Sequence, residues 1–389
     1  MSTALLARDP DVSRLLDDGY DVVLQAGHLI ARHIPYVTQT RSIEYGFLAY
    51  PVTVSGDRLV SGTDHRIWFG GSAPCDEHGR PLPLATPEAR AITDGLQVQF
   101  MLSSKPGPAG YPDEYTKVTA YARIIADQAQ AIDPAVTPTP GAAWQEIDED
   151  TPFAYRDTAT SRAGLAVVNR RYRGHHILIV GLGGSGSYIL DQVAKTEVDT
   201  IRLIDGDSFD NHNAFRAPGA PTLDTLRSRP NKAAYFASLY SHMHRHITAH
   251  EQYLDEDNLA LLDGATFVFL ASDDAASKPA VMDWLETRDV PFIDVGMGIE
   301  EIDGRLSGLL RVTTSLPGRR EQARGRIPTP APERDVYGRN IQTADLNALN
   351  AILAVNRWKR FLGIYADATD EGFATYSLIT NEIANEDLP

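Results

Sequence analysis

Four glycines crowd into six residues, Gly181, Gly183, Gly184 and Gly186, directly after the apolar run Ile177 to Val180. Glycine lets a backbone pass close to a phosphate. The residues that follow, Ser187 to Lys195, space Tyr188, Leu190 and Val193 as a helix would. A glycine turn between a strand end and a helix start is a phosphate site, because the first helical N–H groups and the helix dipole favour an anion there. The next strand-like run, Thr200 to Ile204, ends at Asp205, where a carboxylate can take the ribose hydroxyls of a nucleotide. Nucleotide binding is the chemistry this spacing supports. Taken alone, the glycines fit a Rossmann-type dehydrogenase with a nicotinamide cofactor equally well. Two other residue types invite a functional reading. His242, His244, His246 and His250 could suggest zinc, but on the helix expected over 231 to 247 only two of their pairs stand at i, i+4, so they read as a polar helix face. Cys75 is the single thiol.

The elements that must position these residues are those of an α/β protein. Strands and helices alternate beyond the glycine turn, with helices expected at 231 to 247, 275 to 286 and 344 to 362 and strands at 266 to 271 and 290 to 295. The order predicts a Rossmann-like, doubly wound, mostly parallel sheet. Asp303-Gly304 between apolar runs is a hairpin signal, which predicts an antiparallel extension. An arginine- and proline-rich loop, 317 to 334, reads either as a solvated segment or as a crossover over the site. Before the glycine turn lies a smaller α+β domain, with helices expected at 15 to 32 and 115 to 131 and short strands between 43 and 71 and at 98 to 102. The division expected is 1–132 for the amino-terminal α+β domain, 133–152 for a proline-bearing acidic linker and 153–389 for the nucleotide-binding domain. Across 389 residues the formal charge is −16, which counts against nonspecific binding to nucleic acid or an anionic membrane. One cysteine excludes an internal disulfide framework and a cysteine-rich zinc site. The chain shows no run of eighteen apolar residues and no apolar signal core at its start, so a cytoplasmic location is expected.

GLGGSG at 181–186, LIDGD at 203–207, Asn213 and Arg216 together carry a more specific resemblance. This stretch resembles the ThiF-type adenylyltransferases, the family that includes ubiquitin-activating enzymes and bacterial activators of sulfur carriers. That family reads GxGGxG, then DxD, then Asn and Arg eight and eleven residues past the first Asp, and this chain matches each offset. The resemblance implies ATP and Mg²⁺ as cofactors and adenylation of the terminal carboxylate of a ubiquitin-like or sulfur-carrier protein, with release of pyrophosphate. By motif position Gly181, Gly183, Gly184, Gly186, Asp205 and Asp207 would surround the nucleotide. Arg216 and Lys232 would face the phosphates, and Asn213 would help orient them. Asp273 would bind Mg²⁺, with helix or turn capping as its bland alternative. Lys278 stands where the family commonly has Arg. The sixteen residues from Arg216 to Lys232 exceed the loop that sulfur-carrier activators use. Arg162 matches the arginine that reaches the ATP of another protomer, which implies a homodimer; a structural salt bridge is its alternative.

The adenylation half, 153–389, contains no cysteine, so a thioester within it is excluded. The adenylate is either handed to a separate protein or passed to Cys75. Asp76 and Glu77 disfavour the Cys75 thiolate, which weighs against an acyl-acceptor role. The amino-terminal half resembles the uncharacterised domain that precedes bacterial ThiF-type modules linked to ubiquitin-like systems. Two other functions share the same ATP site: adenylation of a small carboxylate or a tRNA-linked substrate, and a dimeric nucleotide-binding scaffold without turnover.

Overall fold

The computed structural model describes residues 9–55, 58–60, 64–93, 96–108, 110–141, 151–155, 157, 159–160, 163, 165–274, 276–328 and 341–386. The chain divides into two units, Met1–Thr151 with Tyr155–Leu165, and Pro152–Ala154 with Ala166–Pro389.

The first unit opens with helix α1, Pro10–Asp17, whose N-cap Asp9 accepts hydrogen bonds from the Asp11 and Val12 amides. A helix over 15–32 is not what forms. Gly19, at φ +92°, turns the chain out of α1, and Asp21–Gln25 and His28–Val37 become strands β1 and β2 of a hairpin. The apparent helical spacing of Val22, Val23, Leu29 and Ile30 is the packing pattern of two short strands rich in β-branched residues. The hairpin turn at Ala26-Gly27 has φ +48° and +72°, and lacks the Asn-Gly or Asp-Gly pair that marks such turns in sequence. Strands β3 (Ile43–Pro51), β6 (Ile67–Gly70), β7 (Ala85–Thr93) and β8 (Leu96–Leu102) complete an antiparallel sheet of order β1-β2-β3-β6-β8-β7, while β4 (Thr53–Ser55) and β5 (Arg58–Val60) pair separately. Helix α2, Glu114–Gln130, buries Val118, Tyr121, Ala122 and Ile125 in one core with Leu29, Ile34, Phe69 and Val98. Residues 133–141 lie on this unit, with Gln130 donating to the Val136 carbonyl and the Gly141 amide to that of Gly19.

The second unit is an eight-stranded sheet in the order β11-β10-β9-β12-β13-β14-β15-β16. Strands β9 (His176–Val180), β10 (Thr200–Ile204), β11 (Ile247–His250), β12 (Phe267–Leu270) and β13 (Phe292–Ile302) run parallel. Then β14 (Arg305–Ser315), β15 (Phe373–Ser377) and β16 (Glu382–Glu386) add antiparallel strands, with Asp303-Gly304 as the β13–β14 turn. Successive residues of the central strands feed two different cores, as a sheet covered on both faces requires. Ile177, Ile179, Phe267 and Phe269 pack with Leu190 of α3 (Gly184–Val193), Phe236 of α4 (Lys232–Ser241) and Trp358 of α6 (Ala344–Phe361). Leu178, Val180, Val268 and Leu270 pack on the opposite face with Val281, Met282 and Leu285 of α5, Lys278–Thr287. Each such side chain contributes about 1.5–3 kcal/mol on burial.

Three expectations are corrected in this unit. The helix expected over 231–247 stops at Ser241, so the histidines do not share a helix face: His242 lies in the turn that follows, His244 forms an isolated antiparallel bridge with Phe153, and His250 lies on β11. The helix expected from Ala275, a residue outside the described set, begins at Lys278. The arginine loop is not simply solvated, since Arg320 donates to the Val290 carbonyl at 3.1 Å and Arg324 to Glu286 at 2.6 Å; residues 329–340 lie outside the described set. Among the described residues no helix is long and apolar enough to cross a membrane.

Candidate active site

The carboxyl ends of β9, β10, β12 and β13 open onto a cavity of about 1050 Å³. Open α/β sheets bind ligands at this edge. The glycine loop forms its floor. Gly181 has φ +85°, and a Cβ there would come within 2.7 Å of the Ser272 amide nitrogen. At Gly186 a Cβ would overlap the Gly181 carbonyl oxygen, so the loop closes tightly only with glycine at both positions. Gly183 differs: it lines the cavity, and nothing lies within 4 Å of where its Cβ would stand. It is the N-cap of α3 and supplies no capping side chain. The first amides of α3 therefore have no side-chain acceptor at the cap, which suits a bound anion.

Asp205 is 8% exposed and holds the loop in shape. One carboxylate oxygen accepts from the Leu182 amide at 2.6 Å and the other from the Asp207 amide at 2.8 Å. Burial pushes its pKa up, against the pull of nearby Lys232 and of these two amides. Asn231, which the sequence reading did not single out, donates to the Asp205 carbonyl and caps α4 by accepting from the Ala233 and Ala234 amides. This cap fixes Lys232 at the start of α4, so the sixteen-residue spacing still brings its ammonium within 2.6 Å of Asp207. The Tyr253 hydroxyl donates to the other Asp207 oxygen at 2.5 Å. Partial burial acts upward on the Asp207 pKa, but the hydrogen bonds from Lys232 and Tyr253 outweigh it and hold the group below its ordinary value.

Arg216 lines the cavity; its backbone amide donates to the Asn213 carbonyl, its charge helps hold down the Asp207 pKa, and its Nε is buried without a hydrogen-bond partner among the described residues. A guanidinium at a cavity wall with a buried Nε left unsatisfied fits an anionic ligand such as a phosphate. Asn213 stands behind the wall: its Oδ1 accepts from the Asp210 amide while Asp210 caps the turn Asn211–Ala214, which leads into Arg216. Asp273 is exposed at the cavity edge and makes no hydrogen bond or ion pair with the described residues. The turn-capping role falls to its neighbour Asp274, which accepts from the Ala276 amide. No group of three or more metal-ligating side chains exists among the described residues. A divalent ion held by Asp273 would complete its shell from phosphate oxygens and water, as Mg²⁺ commonly does.

Three further features were missed in sequence. Asp294 on β13, fully buried, holds Lys278 and Arg311 at 2.7 Å each. Tyr253 leans on Gly206, where a Cβ would meet its ring at 2.7 Å. On α6, Asn347 accepts from Ser185 of the glycine loop and Asn350 donates to the Gly296 carbonyl. A carboxylate inside the apolar run of β13 and two asparagines three apart on a buried helix face were the available signals. Arg162 lies outside the described residues. In the first unit Cys75 bridges Val37 and Pro81 and is 1% exposed, packed with Val37 and Ala129. Burial first, and Asp76 second, raise its thiol pKa.

A glycine-loop phosphate cradle at the carboxyl edge of a doubly wound sheet defines a mononucleotide-binding α/β domain. Residues 157–385 match the ThiF family, and the chain belongs to that family of adenylyltransferase-type enzymes. Residues 10–158 match a domain of unknown function, DUF6791. A comparison with curated proteins finds no match. Among solved structures the chain is similar to E. coli MccB with ATP, at 14% identity and a TM-score of 0.46 over 72% of this chain and 80% of that one. It is also similar to E. coli tRNA N6-threonylcarbamoyladenosine dehydratase, TcdA, in complex with AMP, at 20% identity and a TM-score of 0.40 over 54% and 94% of the two chains. PaaA is similar at 18% identity and a TM-score of 0.39, over 57% and 75%.

Proposed function

We propose that this chain binds ATP with Mg²⁺ and adenylates the carboxyl terminus of a ubiquitin-like or sulfur-carrier protein. The observation that carries the reading is one cavity joining an uncapped glycine-loop helix start, the Arg216 guanidinium with its unsatisfied Nε, and the Asp273 carboxylate, which has no hydrogen bond or ion pair among the described residues. Phosphoryl chemistry needs phosphate charge neutralised and a metal held, and a cation and a carboxylate lining one cavity supply groups for both. In the reaction a carboxylate oxygen attacks the α-phosphorus, the bond from that phosphorus to the bridging oxygen breaks, and pyrophosphate leaves. No proton transfer is needed. The α3 amides, Arg216 and Lys232 take phosphate charge, Asp205 shapes the loop and meets the ribose, and Asp207 restrains Lys232. Asn213 acts on Arg216 through the turn it closes. Bound Mg²⁺ would polarise the phosphates from Asp273. By family position Arg162 serves the ATP of a second protomer, which makes the working unit a homodimer. Cys75 is inert in this scheme, because a buried thiol with a raised pKa is a poor acceptor.

Exchange of labelled pyrophosphate into ATP, measured with candidate ubiquitin-like and sulfur-carrier proteins, tests the reading. Exchange should depend on the carrier and disappear in Asp273→Ala without a change in melting temperature. Tight NAD binding with no ATP binding would sink it.

A further inference from the structure

Positive charge borders the cavity at two separate places. Arg216 and Lys232 stand on the β10 side of the glycine loop. Lys278 and Arg311 stand on the β13–β14 side. In the order β10-β9-β12-β13 three inter-strand steps separate the two sides, about 14 Å at 4.7–4.9 Å per step. A triphosphate held at the first place leaves the second for another anion.

The second place is built around Asp294. Its carboxylate is fully buried and holds the Lys278 ammonium on one oxygen and the Arg311 guanidinium on the other, each at 2.7 Å. Arg311 also donates to Thr313 at 2.7 Å, which fixes its plane. Two cations share one anion, so the cluster carries a net positive charge. A structural ion pair needs only one cation. Here the extra one borders a cavity partly closed from water, where attraction for an anion exceeds that in bulk solvent. The sheet leads toward it. Gly296 and Gly298 leave β13 bare on this side, and nothing lies within 4 Å of a Cβ placed at Gly298. At Gly296 a Cβ would stand 2.5 Å from an Arg311 nitrogen, so the guanidinium lies across the strand at the inner end of the bare stretch. An extended chain laid over Gly298 would arrive there with its terminus.

We propose that Lys278 and Arg311, paired on Asp294, form the subsite for the substrate carboxylate that becomes adenylated. The assignment rests on the adenylation reading and specifies which residues receive the second substrate. Neutralising the carboxylate lowers its repulsion from the phosphates while leaving one oxygen free to attack the α-phosphorus. Asp294 is then a positioning residue, acting only through the two cations.

The test uses the full chain saturated with a non-hydrolysable ATP analogue and a randomised decapeptide pool prepared as free acids and as carboxamides. Captured peptides are compared by mass spectrometry. The wild type should favour free acids by about tenfold or more, as expected for losing charge-assisted hydrogen bonds. Arg311→Gln and Lys278→Gln should lose that preference while binding the analogue as the wild type does. Lys278→Arg, which keeps the charge, should retain it; if a glutamine variant unfolds, Arg311→Lys, which keeps the charge but loses the planar fork, should cut the preference severalfold, and an unchanged preference in that variant overturns the assignment. No preference in the wild type, or a preference that survives both glutamine changes, overturns the assignment. So does a loss of analogue binding with the preference intact, which would place the pair on the nucleotide. A wild type that fails to bind the analogue instead sinks the adenylation reading, and this assignment with it.

Discussion

His244 should make the nucleotide-binding unit lose stability as the pH falls, through a proton it refuses rather than one it gains. Its ring is fully buried, with Nε2 3.0 Å from the Val198 carbonyl and Nδ1 accepting from the His246 amide at 3.3 Å. Those two bonds define a neutral ring with the proton on Nε2, and protonating Nδ1 would set two N–H groups against each other. Burial above all, with His246 adding to it and the Val198 carbonyl opposing, pushes its pKa down to about 4. In the unfolded chain the ordinary value is about 6.5. Between those values the unfolded state binds a proton that the folded state does not, so stability falls as the pH drops through 6.5 and levels off near 4. The interval of roughly 2.5 pH units at about 1.36 kcal/mol each gives about 3 kcal/mol. Histidine ¹³C NMR should find one ring titrating near pH 4. Urea unfolding from pH 7.5 to pH 4 should show wild type losing more stability than His244→Gln by that amount. A His244 pKa near 6.5, or parallel losses in the two proteins, would refute the reasoning.

Gly186→Val should destabilise the chain by about 1–3 kcal/mol, because the new side chain overlaps the Gly181 carbonyl, and should weaken ATP binding more than it lowers the melting temperature. Calorimetry and thermal melting on the same sample would show it. Tyr253→Phe removes one of the hydrogen bonds that depress the Asp207 pKa. The stabilisation from Asp207 is present above the ordinary carboxylate pKa and lost as the pH falls through its lower folded value. The variant should therefore move that loss to higher pH, as read from the carboxyl ¹³C titration. Cys75→Ser should retain adenylation, and mass spectrometry of the wild type with ATP and carrier should show no thiol-sensitive, carrier-sized adduct at Cys75.

The glycine-loop side of the cavity was readable because it is local: a strand, a glycine turn and a helix start are contiguous, and Asp205, Asn213 and Arg216 follow at short fixed offsets. Lys232 was readable only by family position, since its placement depends on Asn231 anchoring α4 to the Asp205 carbonyl. The Asp294–Lys278–Arg311 cluster was not readable. Its members come from β13, α5 and β14 and meet only when the antiparallel extension pairs Asp294 with Thr313 and Gly296 with Arg311. The failures in the first unit have a different cause. Two short strands joined by Ala26-Gly27 bury Val22, Val23, Leu29 and Ile30 at intervals that a helix would also produce, and short apolar runs do not distinguish the two periods. His244 was misread because the helix stops at Ser241, and a turn then directs its ring into the core toward the Val198 carbonyl.

The central claim is most directly tested by the intact mass of a ubiquitin-like or sulfur-carrier protein after incubation with this chain, MgATP and pyrophosphatase, quenched in acid. A gain of one adenylyl group on the carrier, removed by hydroxylamine and absent with Arg216→Met, is the predicted result. An unchanged mass for every such carrier, from a chain that binds NAD tightly and ATP not at all, would contradict it.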